Sequence, residues 1–191
     1  MTPQQTADEI CQVYAERGHR HYGENVSELE HALQTAAFAQ QFGEPDAIVL
    51  AALLHDYGHL LHDLGETIAE EGVDAQHEEL GATLLKDRFP PEIVEPVRLH
   101  VVAKRYLCGK DPQYLEGLSA SSQLSLSLQG GPMTPAELAE FEQHPHFEAA
   151  IRVRRYDDMG KVPEMAIPPF ETYRGLIERF ATSGSGTDWA D

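Results

Sequence analysis

The chain has 191 residues, enough for one ordinary domain with a sizeable core and short for two. Its 14 Lys and Arg face 32 Asp and Glu, a formal net charge of −18, which argues against a nucleic-acid partner and against an anionic membrane surface, since both require clustered cations. The longest apolar run, residues 47–54, falls far below the roughly 20 residues of a membrane span. No basic segment leads into an apolar one near the start, and two cysteines, Cys11 and Cys108, are too few for a disulfide framework. A cytoplasmic protein is expected.

Taken in chain order, the elements read as helices joined by short loops. Thr2-Pro3-Gln4-Gln5 is a hydroxyl cap, a proline at the first helical position and a glutamine to return the capping bond, opening a helix to about Arg17. Residues 18–23 form a loop. Ser27-Glu28-Leu29-Glu30 is a second capping box, and Leu29, Leu33, Ala36 and Ala37 follow at helical spacing. Pro45-Asp46 opens a helix over residues 47–61 that is apolar almost all round through Leu54, so it belongs at the centre of the bundle. Further helices are expected from 74 or 75 to 86, from Pro90-Pro91-Glu92 to about Leu107 with Pro96 as a mild conflict, and over 112–129. Thr134-Pro135-Ala136-Glu137 repeats the cap-plus-proline signal. Residues 146–157 are helical, the proline-bearing stretch 160–170 is a loop, and 171–181 is the last helix. No alternating strand pattern stands out, so the fold class is all-α: one helical bundle over residues 1–182, with 183–191 as a mobile tail.

The chain carries ten histidines. His31, the pair His55-Asp56, His77, His100 and Asp157 each fall on or beside an expected helix with apolar neighbours. A His-Asp pair at the end of so apolar a helix is costly unless partnered or bound to a metal, and imidazole with carboxylate suits a first-row transition metal. One carboxylate, Asp56, has an oxygen for each of two ions. His31, His55 and Asp157 then complete one, and His77 and His100 the other.

This ordered set resembles the HD-domain superfamily of metal-dependent proteins. Four segments sharpen the match: His55-Asp56-Tyr57-Gly58-His59, residues 100–107 (His-Val-Val-Ala-Lys-Arg-Tyr-Leu), residues 128–133 (Leu-Gln-Gly-Gly-Pro-Met) and Arg154-Arg155-Tyr156-Asp157. They look like the organophosphonate-cleaving diiron oxygenases of that superfamily, over roughly residues 22–173. The resemblance implies an all-α, single-domain HD-domain helical bundle. It implies two iron ions in the mixed-valent Fe(II)/Fe(III) state on His31, His55, Asp56, His77, His100 and Asp157, with dioxygen as co-substrate. It implies a small organophosphonate held by His59, Lys104, Ser122 and Arg154, with Ser119 and Ser121 crowding the same turn as Ser122. The reaction implied is C–P cleavage of 1-hydroxy-2-(trimethylammonio)ethylphosphonate or its primary-amine analogue to phosphate and glycine betaine or glycine.

The spacing of the cations agrees with that pocket. Lys104 lies four residues after His100, His59 four after His55, and Arg154 three before Asp157, each one helical turn from a ligand. Because bulk repulsion is screened beyond about 8 Å, such a local cluster can hold a dianion on an acidic protein. The family also places a tyrosine and an acid in a loop before the first ligand, the tyrosine filling the open iron position and the acid contacting the substrate amine. Here Tyr22 and Glu24 take those places, at a spacing that differs from that of the primary-amine enzyme, and His21, Tyr22 and Glu24 suit a quaternary ammonium. The alternative is an HD phosphohydrolase that uses the same ligands on a nucleotide or small phosphate ester.

Overall fold

Local capping chemistry sets where the first two helices begin. In the computed structural model, which describes residues 1–22, 25–61 and 72–182, Thr2 caps helix α1 (Pro3–Arg17) and Ser27 caps α2 (Glu28–Gln41), each closing a reciprocal box with Gln5 or Glu30. Then come α3 (Asp46–Leu54), α4 (His77–Leu85), α5 (Pro91–Lys110), α6 (Pro112–Glu116), α7 (Ala120–Leu128), α8 (Pro135–Phe141), α9 (Phe147–Met159) and α10 (Arg174–Phe180). Among the described residues there is no strand, only an isolated antiparallel bridge between His21 and Ser27. The fold is all-α, as the sequence predicts. Glu24 and the expected tail at 183–191 lie outside the described residues.

Helix α3 is the axis of the molecule. Every residue from Ile48 to Leu54 is buried, and the helix packs against α2, α5, α9 and α10. Burying each such leucine or isoleucine contributes on the order of 1.5–3 kcal/mol, so the side chains at its C-terminal end are held by the most heavily buried segment available. A second cluster, built from Leu99, Ala103, Tyr106 and Leu107 of α5 with Met133, Phe141 and Ala150, fixes α5 against α8 and α9. Among the described residues no helix is long and apolar enough to cross a membrane.

Three of the differences from the sequence reading have a clear physical reason, and the conflict at Pro96 is resolved. The helix expected over 47–61 stops at Leu54, and residues 57–61 tighten into a 3-10 turn. A continuous α-helix would point His55 and Asp56 about 100° apart, whereas the break turns both towards one centre. Helix α4 begins at His77 rather than 74 or 75, because Asp74 Oδ1 accepts from the Gln76 amide at 3.2 Å and Gln76 takes a left-handed conformation. Helix α5 runs through Pro96: the missing N–H would have met the carbonyl of Glu92, which is exposed and lies in the first turn, where the loss of one hydrogen bond is cheapest. The weakly patterned 112–129 segment divides at Gly117 into α6 and α7, the second capped by Ser119.

Candidate metal centre

Five elements bring six side chains to one point. His31 comes from α2, His55 and Asp56 from the end of α3, His77 from the first position of α4, His100 from the middle of α5 and Asp157 from α9, and all six are buried. The Nδ1 atoms are anchored from behind. His31 Nδ1 lies 2.8 Å from the carbonyl of Gly160, His55 Nδ1 2.8 Å from that of Ala52, and His100 Nδ1 2.7 Å from that of Val97. A carbonyl only accepts, so each Nδ1 carries the proton and each Nε2 presents a lone pair forwards.

The forward faces form two pairs, with His31 Nε2 3.0 Å from His55 Nε2 and His77 Nε2 3.1 Å from His100 Nε2. Asp56 lies between them. Its Oδ2 stands 3.4 Å from His31 and 3.2 Å from His55, and its Oδ1 stands 3.2 Å from His77 and 3.3 Å from His100. Asp157 Oδ1 joins the first pair at 3.4 Å from His31 and 3.9 Å from His55.

This donor set fits a pair of metal ions. Asp56 Oδ1 and Asp157 Oδ1 are buried and accept no hydrogen bond among the described residues, a state that costs free energy unless a cation satisfies it. Lone pairs of His31 and His55 converge with two carboxylate oxygens and no donor among them. Donors about 2.1 Å from one octahedral cation stand about 3 Å apart, the spacing seen here. The electrostatics agree. Burial works against a charged His31, yet the carboxylates of Asp157 and Asp56 outweigh it and raise the imidazole to about 9, so without a cation Nε2 holds a second proton, which a metal ion would displace to take the lone pair. Burial alone would raise both carboxylates. Instead His55, with His100 and His31, holds Asp56 well below the usual range, and Arg154, with Lys161 and His31, does the same for Asp157. The centre therefore attracts positive charge from within a buried pocket.

Cations collect beside Asp157. Lys104 is buried and donates to Ser125 Oγ at 2.9 Å. Buried Arg154 donates from Nη1 to Asp157 Oδ2 at 2.7 Å and from Nε to Tyr114 Oη at 3.0 Å, and its Nη2 bonds Asp158. The three crowded serines separate: Ser122 is buried, Ser121 is exposed, and Ser119 Oγ accepts from the Ser122 amide. Lys161, absent from the sequence reading, stands 3.3 Å from Ser122 Oγ and 3.7 Å from Asp157 Oδ1. It follows Asp157 by four residues, but Gly160 ends the helix between them, so the helical spacing used for Lys104 does not reach it. A cavity of about 420 Å3 opens here, lined by Tyr114, Ser119, Ser122, Asp158 and Lys161 among others.

The other expected residues fall on opposite sides of the centre. The ring of Tyr22 stacks on His31, centroids 3.8 Å apart, with Lys161 Nζ 5.6 Å from the Tyr22 ring. Burial and the charges of Asp157 and Asp56 push its hydroxyl well above the ordinary tyrosine range. His59 stacks on His77 at 3.9 Å, and one donor atom each of His59, Asp56 and His77 lie within 4.8 Å of one another. The structure thus puts His59 beside the His77 side of the centre.

The chain as a whole is similar to known proteins. The model for the HD domain matches residues 29–125. The chain is 42% identical over 175 residues, 91% of its length and 89% of the relative's, to the [1-hydroxy-2-(trimethylamino)ethyl]phosphonate dioxygenase (glycine-betaine-forming) of Leisingera caerulea. It is equally 42% identical over 180 residues, 93% of its length and 89% of the relative's, to the hydroxymethylphosphonate dioxygenase of Gimesia maris. An uncharacterized protein of Acanthamoeba polyphaga mimivirus is 35% identical over 184 residues, 95% of this chain and 84% of the relative.

Proposed function

The chain belongs to the HD-domain family, and from that premise we propose that it is a non-haem diiron oxygenase that cleaves the C–P bond of a 1-hydroxyphosphonate. The observation that carries the proposal is the division of Asp56 between two histidine pairs, with Lys104, Lys161 and Arg154 gathered beside it. The substrates proposed are 1-hydroxy-2-(trimethylammonio)ethylphosphonate, giving phosphate and glycine betaine, and 1-hydroxy-2-aminoethylphosphonate, giving phosphate and glycine. The name of the Leisingera relative supports the first. Both phosphonate relatives carry dioxygenase names, which disfavours the phosphohydrolase alternative.

His31, His55 and Asp157 would hold one iron, His77 and His100 the other, with Asp56 across both. Iron in the Fe(II)/Fe(III) state would supply the activation of dioxygen and the redox steps. The protein's residues do the rest. Lys104, Lys161 and Ser122 offer donors to the phosphonate oxygens, and Arg154 adds its charge. The carbonyls of Gly160, Ala52 and Val97 fix the imidazole orientations. The buried centre excludes bulk water. Over the whole reaction C1 gains one oxygen atom and phosphorus gains one, which accounts for both atoms of dioxygen. The free Cys11 and Cys108 suit a reducing cytoplasm.

The deciding experiment is oxygen uptake and phosphate release by iron-loaded protein with the trimethylammonio, amino and hydroxymethyl phosphonates side by side. Uptake equal to phosphate release supports the oxygenase. Anaerobic hydrolysis of phosphate esters with no uptake would replace it by the phosphohydrolase.

Two predictions concern the substrate side. Burial, then the nearby charges of Arg154 and Lys161, lower Lys104 to about 8. A lysine is charged below its pKa, so phosphonate binding should be strongest below pH 8 and KM should climb as pH rises through it. Lys104→Arg should flatten that climb, because a guanidinium stays protonated. Lys104→Ala should raise KM about 10- to 100-fold with bound iron intact, and an unchanged KM would remove it from the pocket. Tyr22→Phe should alter the visible spectrum of the substrate-free, oxidised iron protein, while an unaltered spectrum would show that the Tyr22 hydroxyl does not reach the metal.

A further inference from the structure

We infer that Tyr114, with Asp158, is a positioning residue that locks Arg154 so that its remaining donors face the phosphonate, an inference resting on the phosphonate reading of this site. The hydrogen bonds form a closed ring. Arg154 Nε donates to Tyr114 Oη at 3.0 Å, Tyr114 Oη donates to Asp158 Oδ2 at 2.5 Å, and Arg154 Nη2 returns to Asp158 Oδ1. The Tyr114 hydroxyl is both acceptor and donor, so the ring closes only through it.

The geometry divides the guanidinium into parts with separate tasks. Nε and Nη2 lie along one edge, and that edge is met by Tyr114 and Asp158. Nη1 donates to Asp157 Oδ2, leaving Asp157 Oδ1 for the metal centre. Of the five N–H donors of an arginine, three are bound this way among the described residues and two remain. Those two are the ones able to meet an anion. Without the ring, the guanidinium would be free to turn its Nε edge elsewhere, and Asp158 would sit at the cavity as an uncompensated negative charge. Asp158 and Tyr114 both line that cavity beside Lys161 and Ser122, so the ring also neutralises the wall that a dianion passes.

Tyr114 reaches this place from a different part of the chain. It sits on α6, a five-residue helix started by Asp111, whose side chain accepts from the Gln113 amide at 2.9 Å. Arg154 and Asp158 are one turn apart on α9. The hydroxyl therefore ties α6 to the helix that carries the last metal ligand, and its two hydrogen-bond partners, Arg154 and Asp158, are not among the six metal-ligand candidates.

The test measures binding apart from turnover. Inorganic phosphate binding to iron-loaded protein is followed by equilibrium dialysis without oxygen, alongside iron content, KM and kcat. Tyr114→Phe should weaken phosphate binding about tenfold and raise KM for the phosphonate by the same factor, with kcat within about twofold and iron content unchanged. Asp158→Asn should shift both in the same direction. In an Arg154→Lys background, Tyr114→Phe should add little, since a lysine cannot close the ring. Unchanged phosphate binding in Tyr114→Phe, a loss that follows loss of iron, or full additivity with Arg154→Lys would each overturn the inference. Phosphate binding with this pattern, but no oxygen uptake with any 1-hydroxyphosphonate, would support the Arg154 lock and overturn the oxygenase reading instead.

Discussion

Asp56→Ala should strip both irons from the protein and abolish oxygen uptake. No other side chain in the centre has both oxygens committed to opposite pairs: Oδ2 stands within 3.4 Å of His31 and His55, and Oδ1 within 3.3 Å of His77 and His100. Removing the carboxylate takes a ligand from each ion at once. The His77–His100 site is left with two imidazoles and no carboxylate ligand, and the other site with Asp157 alone as its anion. Loss of a group that merely supports a ligand costs 10- to 100-fold in metal affinity, so loss of a ligand shared by two ions should exceed that for each. Elemental analysis after gel filtration reads the result directly. Asp157→Ala is the comparison, because it should release the ion on His31 and His55 and spare the other. Two tightly held irons in Asp56→Ala would remove the bridging role.

What the sequence made legible was local. Thr2 with Gln5 and Ser27 with Glu30 lie three residues apart, and their capping boxes form as read. The run from Ile48 to Leu54 admits only a central position, and it occupies one. The six ligand candidates were visible because each is a chemically expensive residue inside an apolar helical pattern, and the structure brings them together. The unread features are joined through space. The break after Leu54 exists because His55 and Asp56 must both face residues contributed by α2, α4 and α5, which no window around residue 55 contains. Lys161 reaches Asp157 around Gly160 and the end of α9. Tyr114 meets Arg154 forty residues away in sequence, and nothing in Pro112–Glu116 marks its tyrosine as different from any half-buried aromatic. Hydrophobic periodicity thus orders the scaffold, while the polar contacts that aim the cations depend on where helices cross.

The acidic surface and the anion pocket follow from the same separation of scales. A net charge of −18 repels an anionic substrate in bulk, but at physiological salt its field fades within about 8 Å. Lys104, Arg154 and Lys161 act inside that distance. Each is set against a carboxylate or hydroxyl that fixes its direction without cancelling the group as a whole: Lys104 on Ser125, Arg154 on Asp157 and Asp158, Lys161 near Ser122.

Gly58→Ala should cost the protein one iron and its activity, an effect far larger than one methyl suggests. A Cβ at Gly58 would stand 1.9 Å from the carbonyl oxygen of His77, 2.8 Å from its carbonyl carbon and 3.0 Å from the amide nitrogen of Gly81. All three are backbone atoms of α4, so no rotamer relieves the clash, and the helix must retreat by more than about 1 Å to approach an ordinary contact. Overpacking of this kind destabilises by about 1–3 kcal/mol, a cost the fold can absorb. The metal site cannot absorb the movement, because ligand distances tolerate only about 0.2 Å, and His77 is the first residue of the helix that moves. The ion on His77 and His100 should leave, while the ion on His31, His55 and Asp157, whose ligands come from α2, α3 and α9, should stay. Gly81→Ala is the milder partner: its Cβ would lie 3.2 Å from the Gly58 amide, so thermal stability should fall with less loss of metal. Full iron content and turnover in Gly58→Ala would mean that α4 can slide without carrying His77 out of reach. Loss of both ions together would mean that Asp56, once released by one ion, no longer holds its place for the other.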